Sequence, residues 1–171
     1  VFGATPAGVA ASIGAAQDGC SVLLVEPTHR IGGLVTSGLS HTDFHSRESL
    51  SGAFLNFARQ VESHYSKTYG SGSEQVKDSF GGTFAEPKVN LLVFERMLER
   101  FTNITVLRDH RLTSVDTVDS DDAMRTIRNV TITGKSGNSL KIECKVAIDG
   151  SYEGDLMAMA GTAWRVGREG R

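Results

Sequence analysis

Gly3, Gly8, Glu26, Arg30, Gly32 and Gly33 are the residues whose types and spacing suit a ligand that carries phosphates and a sugar. Gly3-Ala4-Thr5-Pro6-Ala7-Gly8 matches the G-x-G-x-x-G fingerprint at its first and last glycines, with Thr5 in the middle place. Such a turn lacks side-chain bulk, so a pyrophosphate can come close to the backbone. The first amides of a helix starting near Pro6 or Ala7 are unpaired donors, and the macrodipole adds about half a positive charge at that end. Glu26 stands eighteen positions after Gly8, where dinucleotide-binding units carry an acid that accepts hydrogen bonds from a ribose hydroxyl. Gly32-Gly33 gives a second place where backbone can meet a phosphate or a flat ring, with Arg30 as a nearby cation. Arg-x-Gly-Gly so soon after the ribose acid suits a flavin better than a nicotinamide. The plainer reading is an ordinary βαβ crossover with a glycine-rich turn and no ligand.

These residues need a scaffold, and the surrounding pattern supplies one. Val1-Phe2 leads into the turn, Pro6 fits a first helical position because its missing N–H costs no helical bond there, and Ala7, Ala10, Ala11, Gly14 and Ala15 make a slim helix that can lie close on a sheet. Ser21–Val25 reads as the next strand. Leu50, Ala53, Phe54, Phe57, Ala58, Val61 and Tyr65 recur at helical spacing, and residues 67–83, rich in Gly and Ser, read as a loop. A second amphipathic helix starts at Pro87, with Val89, Val93, Met97, Leu98 and Phe101 on one side. The period then changes to two over 104–107, 112–118, 127–133 and 140–144, with turns at 119–122 and 135–138. Val106 and Leu107 belong to a third parallel strand, the later three strands form an antiparallel meander, and 145–148 returns to the parallel sheet. Because ligands of open α/β sheets sit at the carboxyl ends of the strands, Asp149 and Gly150 should lie near the glycine turn. The fold class is therefore α/β: a Rossmann-like parallel sheet with helices and an antiparallel β-meander.

Composition bounds the function. At 171 residues, 39% hydrophobic and 22% charged, the chain is one ordinary globular domain. A net charge of −2 gives no basic field for nucleic acid or an anionic membrane. No apolar run approaches a membrane span and no signal-peptide pattern stands at the start, so the expectation is a soluble protein acting on a small molecule. Cys20 and Cys144 belong to no C-x-x-C pattern and read as reduced structural thiols. Asn103 and Asn129 open glycosylation triplets, but in strands or at strand starts. Only two residues precede the turn and no closing element follows Trp164, which suggests a piece of a longer protein with most of its substrate domain elsewhere.

Four motifs together, Gly3–Ala11, Val25–Gly33, Phe84–Pro87 and Ile148–Leu156, resemble the FAD-dependent oxidoreductase family of the glutathione-reductase-like superfold. The resemblance covers nearly the whole chain and implies FAD as cofactor and hydride transfer between a small molecule and the flavin. It implies that the turn holding Gly3, Thr5, Pro6, Ala7 and Gly8 takes the pyrophosphate, that Glu26 with Pro27 takes the adenosine ribose, and that the Arg30 to Gly33 loop lies towards the pyrophosphate and flavin. It also implies adenine contact at the Leu112 backbone and a cofactor-proximal turn at 152–155. Thr5 departs from the general glycine pattern.

The polar segment His41-Thr42-Asp43-Phe44-His45 leaves three readings open. His41, Asp43 and His45 at alternate positions could share one face and hold a metal, they could border the flavin with His41 or Asp43 taking a substrate proton, or they could be solvated. Alternatives for the chain as a whole are a nicotinamide-dependent dehydrogenase, a metal-dependent hydrolase centred on these three residues, and a ligand-free scaffold.

Overall fold

The computed structural model describes residues 1–119 and 125–167. Its first helix, α1 (Pro6–Gln17), begins at the expected proline and packs on β1 (Val22–Val25). β1 pairs in parallel with β2 (Ile104–Leu107), Val22 opposite Ile104 and Val25 opposite Leu107. On the other side of β1 runs the start of the chain: the Gly3 amide donates to the Val25 carbonyl at 2.8 Å and the Val25 amide to the Val1 carbonyl at 2.9 Å. Beyond it lies residue 149, with the Phe2 amide donating to Ile148 and the Gly150 amide to Phe2. The parallel order is thus 104–107, 22–25, 1–3, 148–150. The return to the sheet is made by a single bridge at Asp149 and not by the strand expected over 145–148, where Lys145 and Val146 stay exposed.

Alternation along β1 divides the core between the two faces of the sheet. Leu24 faces the helices with Val9, Ile13, Ile31, Val61 and Phe94, whereas Leu23 and Val25 face the meander with Phe2, Leu112, Ile132 and Leu156. The helical face is closed by α2 (Gly52–Tyr69) and α4 (Pro87–Glu99), where Phe57 stacks on Phe94 with ring centroids 4.4 Å apart. The buried face of α2 starts only at Phe57, because Leu50 precedes the helix and Ala53 is exposed. Residues 67–83 are not the continuous loop expected. α2 runs on to Tyr69, and Ser73, whose hydroxyl accepts the Val76 amide, caps a short α3 (Glu74–Asp78) that packs Val76 on the core.

The meander follows in the order β3 (His110–Asp119), β4 (Arg125–Gly134), β5 (Ser139–Ile142), all antiparallel. The expected turn at 119–122 falls largely outside the described residues, and α5 (Asp155–Met159) closes the fold. Neither glycosylation triplet offers an open acceptor: the Asn103 side chain donates to the Ala16 and Cys20 carbonyls, and Asn129 is 2% exposed. Cys20 and Cys144 are free and exposed, so they are not the packing thiols expected. No helix among the described residues is long and apolar enough to cross a membrane.

The turn joining β2 to β3 is tied to the segment that follows β1, the Asp109 amide donating to the Thr28 carbonyl and the His110 amide to the Glu26 carbonyl. Asp109 adopts a left-handed φ of 60°, and its Oδ1, sealed from solvent, meets the Lys135 ammonium at 2.5 Å. The hydrogen bond from Lys135 lowers the Asp109 pKa below the ordinary aspartate value. A depressed folded-state pKa means that this pair stabilises the fold above the unfolded value of about 3.9 and that the contribution disappears as pH falls through the folded one. Asp109→Asn, which tolerates the same φ, should therefore lower the melting temperature at neutral pH, and the gap to wild type should close below about pH 4. Thermal melts of both proteins from pH 3 to 7 measure it.

Candidate functional site

The glycine turn is a place where backbone meets backbone. Gly3 has φ +88°, and a Cβ there would stand 2.7 Å from the Ser151 amide nitrogen. A Cβ on Gly8 would strike the Gly3 carbonyl, and one on Gly150 would come within 2.8 Å of both the Gly3 carbonyl oxygen and the Gly8 Cα. The missing side chains thus let the first track, the helix and the last track touch. Thr5 completes the junction. Its hydroxyl donates to the Gly150 carbonyl at 2.6 Å and accepts the Gly8 amide at 3.4 Å, so the residue in the middle glycine's place caps α1 and turns its side chain inward. Val9 also donates to Thr5, through its carbonyl. The amides of Thr5 and Ala7 donate to no described residue.

Glu26 ends β1 with its carboxylate at this turn. It is 8% exposed; Oε2 accepts the Ala4 amide at 2.9 Å, and Oε1 accepts both the Thr28 amide at 2.9 Å and the Thr28 hydroxyl at 2.8 Å. Three donors against about four lone-pair sites leave capacity for one more, at Oε2. Thr28 is a site residue that sequence reasoning missed; its hydroxyl also accepts the Arg30 amide at 3.1 Å, a local turn that threonine favours. Pro27 between them is half-buried.

Two segments flank the turn. On one side the Gly32 amide donates to the Ala4 carbonyl at 2.6 Å; Gly32 adopts φ 91°, and a Cβ there would also run into Thr36 and Phe94. The Arg30 guanidinium donates to the Thr36 carbonyl at 3.1 Å, so part of it is already engaged. On the other side Asp149 orders its own loop: Oδ1 accepts the Ser151 amide and hydroxyl, and Oδ2 accepts the Met157 amide at 2.9 Å. Tyr152, exposed, reaches back and accepts the Leu34 amide at 3.0 Å.

The structure brings Gly3, Thr5, Pro6, Gly8, Glu26, Gly32, Asp149 and Gly150 around one turn. Leu112 lies apart, its side chain 7% exposed among Phe2, Val25, Ile132 and Leu156, which leaves only its backbone for a ligand. His41, Asp43 and His45 do alternate outward while Thr42 and Phe44 turn in. The metal reading of this segment, and with it the hydrolase alternative, is corrected. The His41 ring packs on Phe84 with centroids 4.2 Å apart, its Nδ1 lies 3.0 Å from the Ser40 hydroxyl, and no group of three His, Cys, Asp or Glu among the described residues could hold a metal ion.

A family model described as FAD dependent oxidoreductase matches residues 1–171. Among solved structures, the THI4 protein of Thermovibrio ammonificans is similar at 14% identity and TM-score 0.52, over 95% of this chain and 62% of that one. L-proline dehydrogenase from P. horikoshii is similar at 13% identity and TM-score 0.53, over 94% of this chain and 54% of that one. The chain thus spans little more than half the length of these two proteins, and at such identity the likeness shows the fold. No curated protein sequence matches it.

Glu26→Gln exchanges an acceptor for a donor beside two backbone amides, which leaves one N–H buried without a partner. It should cost about 1–3 kcal/mol of stability, read by denaturant titration; a variant as stable as wild type would show that the carboxylate is not held as described. Gly8→Ala forces the Gly3 carbonyl aside and should cost about 1–3 kcal/mol in the same measurement.

Proposed function

Since the chain belongs to the FAD-dependent oxidoreductase family, we propose that the turn from Gly3 to Gly8 binds the FAD pyrophosphate and Glu26 the adenosine ribose. One observation carries this reading: the Glu26–Ala4 hydrogen bond, which holds a carboxylate with a spare acceptor site at the mouth of the turn. Three features fit the dinucleotide. The amides of Thr5 and Ala7 are donors at the start of a helix of 12 residues, where the macrodipole favours an anion. The Thr5 side chain is folded inward and leaves the approach clear. Oε2 of Glu26 can accept a ribose hydroxyl. In this reading Arg30, Gly32 and Gly33 line the side towards the flavin, Asp149 and Gly150 close the other side, Pro27 shapes the ribose end, and the Leu112 backbone meets adenine.

When bound, the flavin supplies hydride exchange with a small-molecule substrate, and the protein supplies binding, orientation and electrostatics. The chain contributes one edge of the substrate site through the segment from His41 to His45. His41 is the better-placed candidate of that segment to take a substrate proton, since its ring is oriented by Phe84 and by the Ser40 hydroxyl while the residue stays exposed; Asp43 is the second choice. Most of the substrate site belongs to another part of the protein.

Purified protein should release FAD on denaturation, and the flavin-free form should bind added FAD in a fluorescence titration. Glu26→Gln should weaken that binding tenfold or more, about 1.4 kcal/mol or above. Absence of flavin together with tight binding of a nicotinamide dinucleotide would overturn the assignment.

A further inference from the structure

Around the glycine turn the chain forms a ring of contacts closed by a single phenol. The turn touches one flank through Gly32 N–H to the Ala4 carbonyl and the other through the Thr5 hydroxyl to the Gly150 carbonyl, both at 2.6 Å. Between the flanks themselves, the one hydrogen bond among the described residues runs from the Leu34 amide to the Tyr152 hydroxyl, at 3.0 Å, across 118 positions of sequence. The ring of Tyr152 lies directly against Gly33, where a Cβ would stand 3.0 Å from Cε2 and Cζ. Both ends of this bond are braced. Thr36 donates its hydroxyl to the Ile31 carbonyl at 2.6 Å, which fixes the 33–36 turn, and Ser151, held by Asp149, accepts the Gly154 and Asp155 amides, which fixes the base of Tyr152. Yet Tyr152 is 55% exposed, so burial of its ring does not account for its position.

We propose that Tyr152 is a positioning residue: its hydroxyl latches the 30–34 flank to the 149–152 flank and so sets the width of the FAD cleft. The inference rests on the FAD assignment above and goes beyond it, because no cofactor contact is asked of Tyr152. Lost, the latch leaves each flank folded on its own bonds but lets their separation vary, and the ordering then falls on cofactor binding.

Tyr152→Phe keeps the ring over Gly33 and removes only the hydroxyl. The FAD dissociation constant should rise roughly threefold to tenfold, the factor that corresponds to one neutral hydrogen bond, chiefly through faster release. Hydrogen exchange at the Leu34 amide in the flavin-free protein should accelerate, while its melting temperature stays within a degree or so of wild type, as befits an exposed bond. Unchanged FAD affinity overturns the latch, and so does a loss of affinity matched by a general loss of stability, which would make Tyr152 a folding residue. If wild-type protein binds no FAD, the assignment of the cleft fails first and the latch with it; wild-type binding with an indifferent Tyr152→Phe sinks the latch alone.

Discussion

Everything at the mouth of the sheet depends on three backbones meeting without side chains between them. Gly3, Gly8 and Gly150 come from the first track, the first turn of α1 and the last track, and each occupies the space where another's Cβ would be. Sheet, helix and closing loop can meet at one point only under that condition. The junction in turn fixes which amides face outward, and it does so with bonds that are short and buried, such as Thr5 to Gly150. Interiors are too densely packed to absorb an added methyl here by small adjustments.

That junction also divides the donors of the turn among separate tasks. Ala4 gives its N–H to Glu26, Gly8 and Val9 give theirs to the hydroxyl and carbonyl of Thr5, and those of Thr5 and Ala7 meet no acceptor among the described residues. Glu26 is nearly as buried as a core residue, and a buried carboxylate is costly unless its lone pairs are met. Here they are met by Ala4 and Thr28, all neutral groups, with no cation among its hydrogen-bond partners. The charge is held by dipoles and stays available to a fourth donor, whereas a bidentate guanidinium would have consumed both oxygens.

Much of this was legible in the sequence because it is local. Pro6 and Pro87 mark helix starts, the alternation of Ile104–Leu107 and of the meander marks strands, and the distance from Gly8 to Glu26 marks a βαβ unit. What stayed hidden depends on partners far away in the chain. The strand-end rule brings Gly150 near the turn, but nothing local announces that it fills the volume missing at Gly3 and Gly8, and nothing near Leu34 announces Tyr152. Phe94, left out of the apolar face expected for the second helix, is buried and stacks on Phe57. Within the Ser- and Gly-rich segment a capping serine and one apolar residue, Val76, were enough to nucleate α3 against an existing core, where composition alone argued for a loop. The exposed cysteines show the converse: a residue type usually buried sits outside when the strand carrying it ends early, as β5 does at Ile142 before Cys144.

The glycine turn and the His41 segment differ in how they are held. At Glu26, hydrogen bonds from backbone amides fix the geometry. The segment carrying His41 is held by ring packing and by two bonds to the 83–85 stretch, the Thr42 hydroxyl to the Thr83 carbonyl and the Ala85 amide to the Ser40 carbonyl. Phe80, just before that stretch, adopts a left-handed φ of 46°, a conformation that costs a bulky residue about 1–2 kcal/mol. Its ring stacks against both Phe44 and Phe84, and these contacts offset the strain. Since Phe84 carries the His41 ring and Phe44 belongs to the His41 segment, the two stretches are coupled through one aromatic cluster. The imidazole is therefore oriented by packing that reaches back to a strained backbone turn. A change at Phe80 would reach His41 through Phe84, without touching Glu26 or the glycine turn.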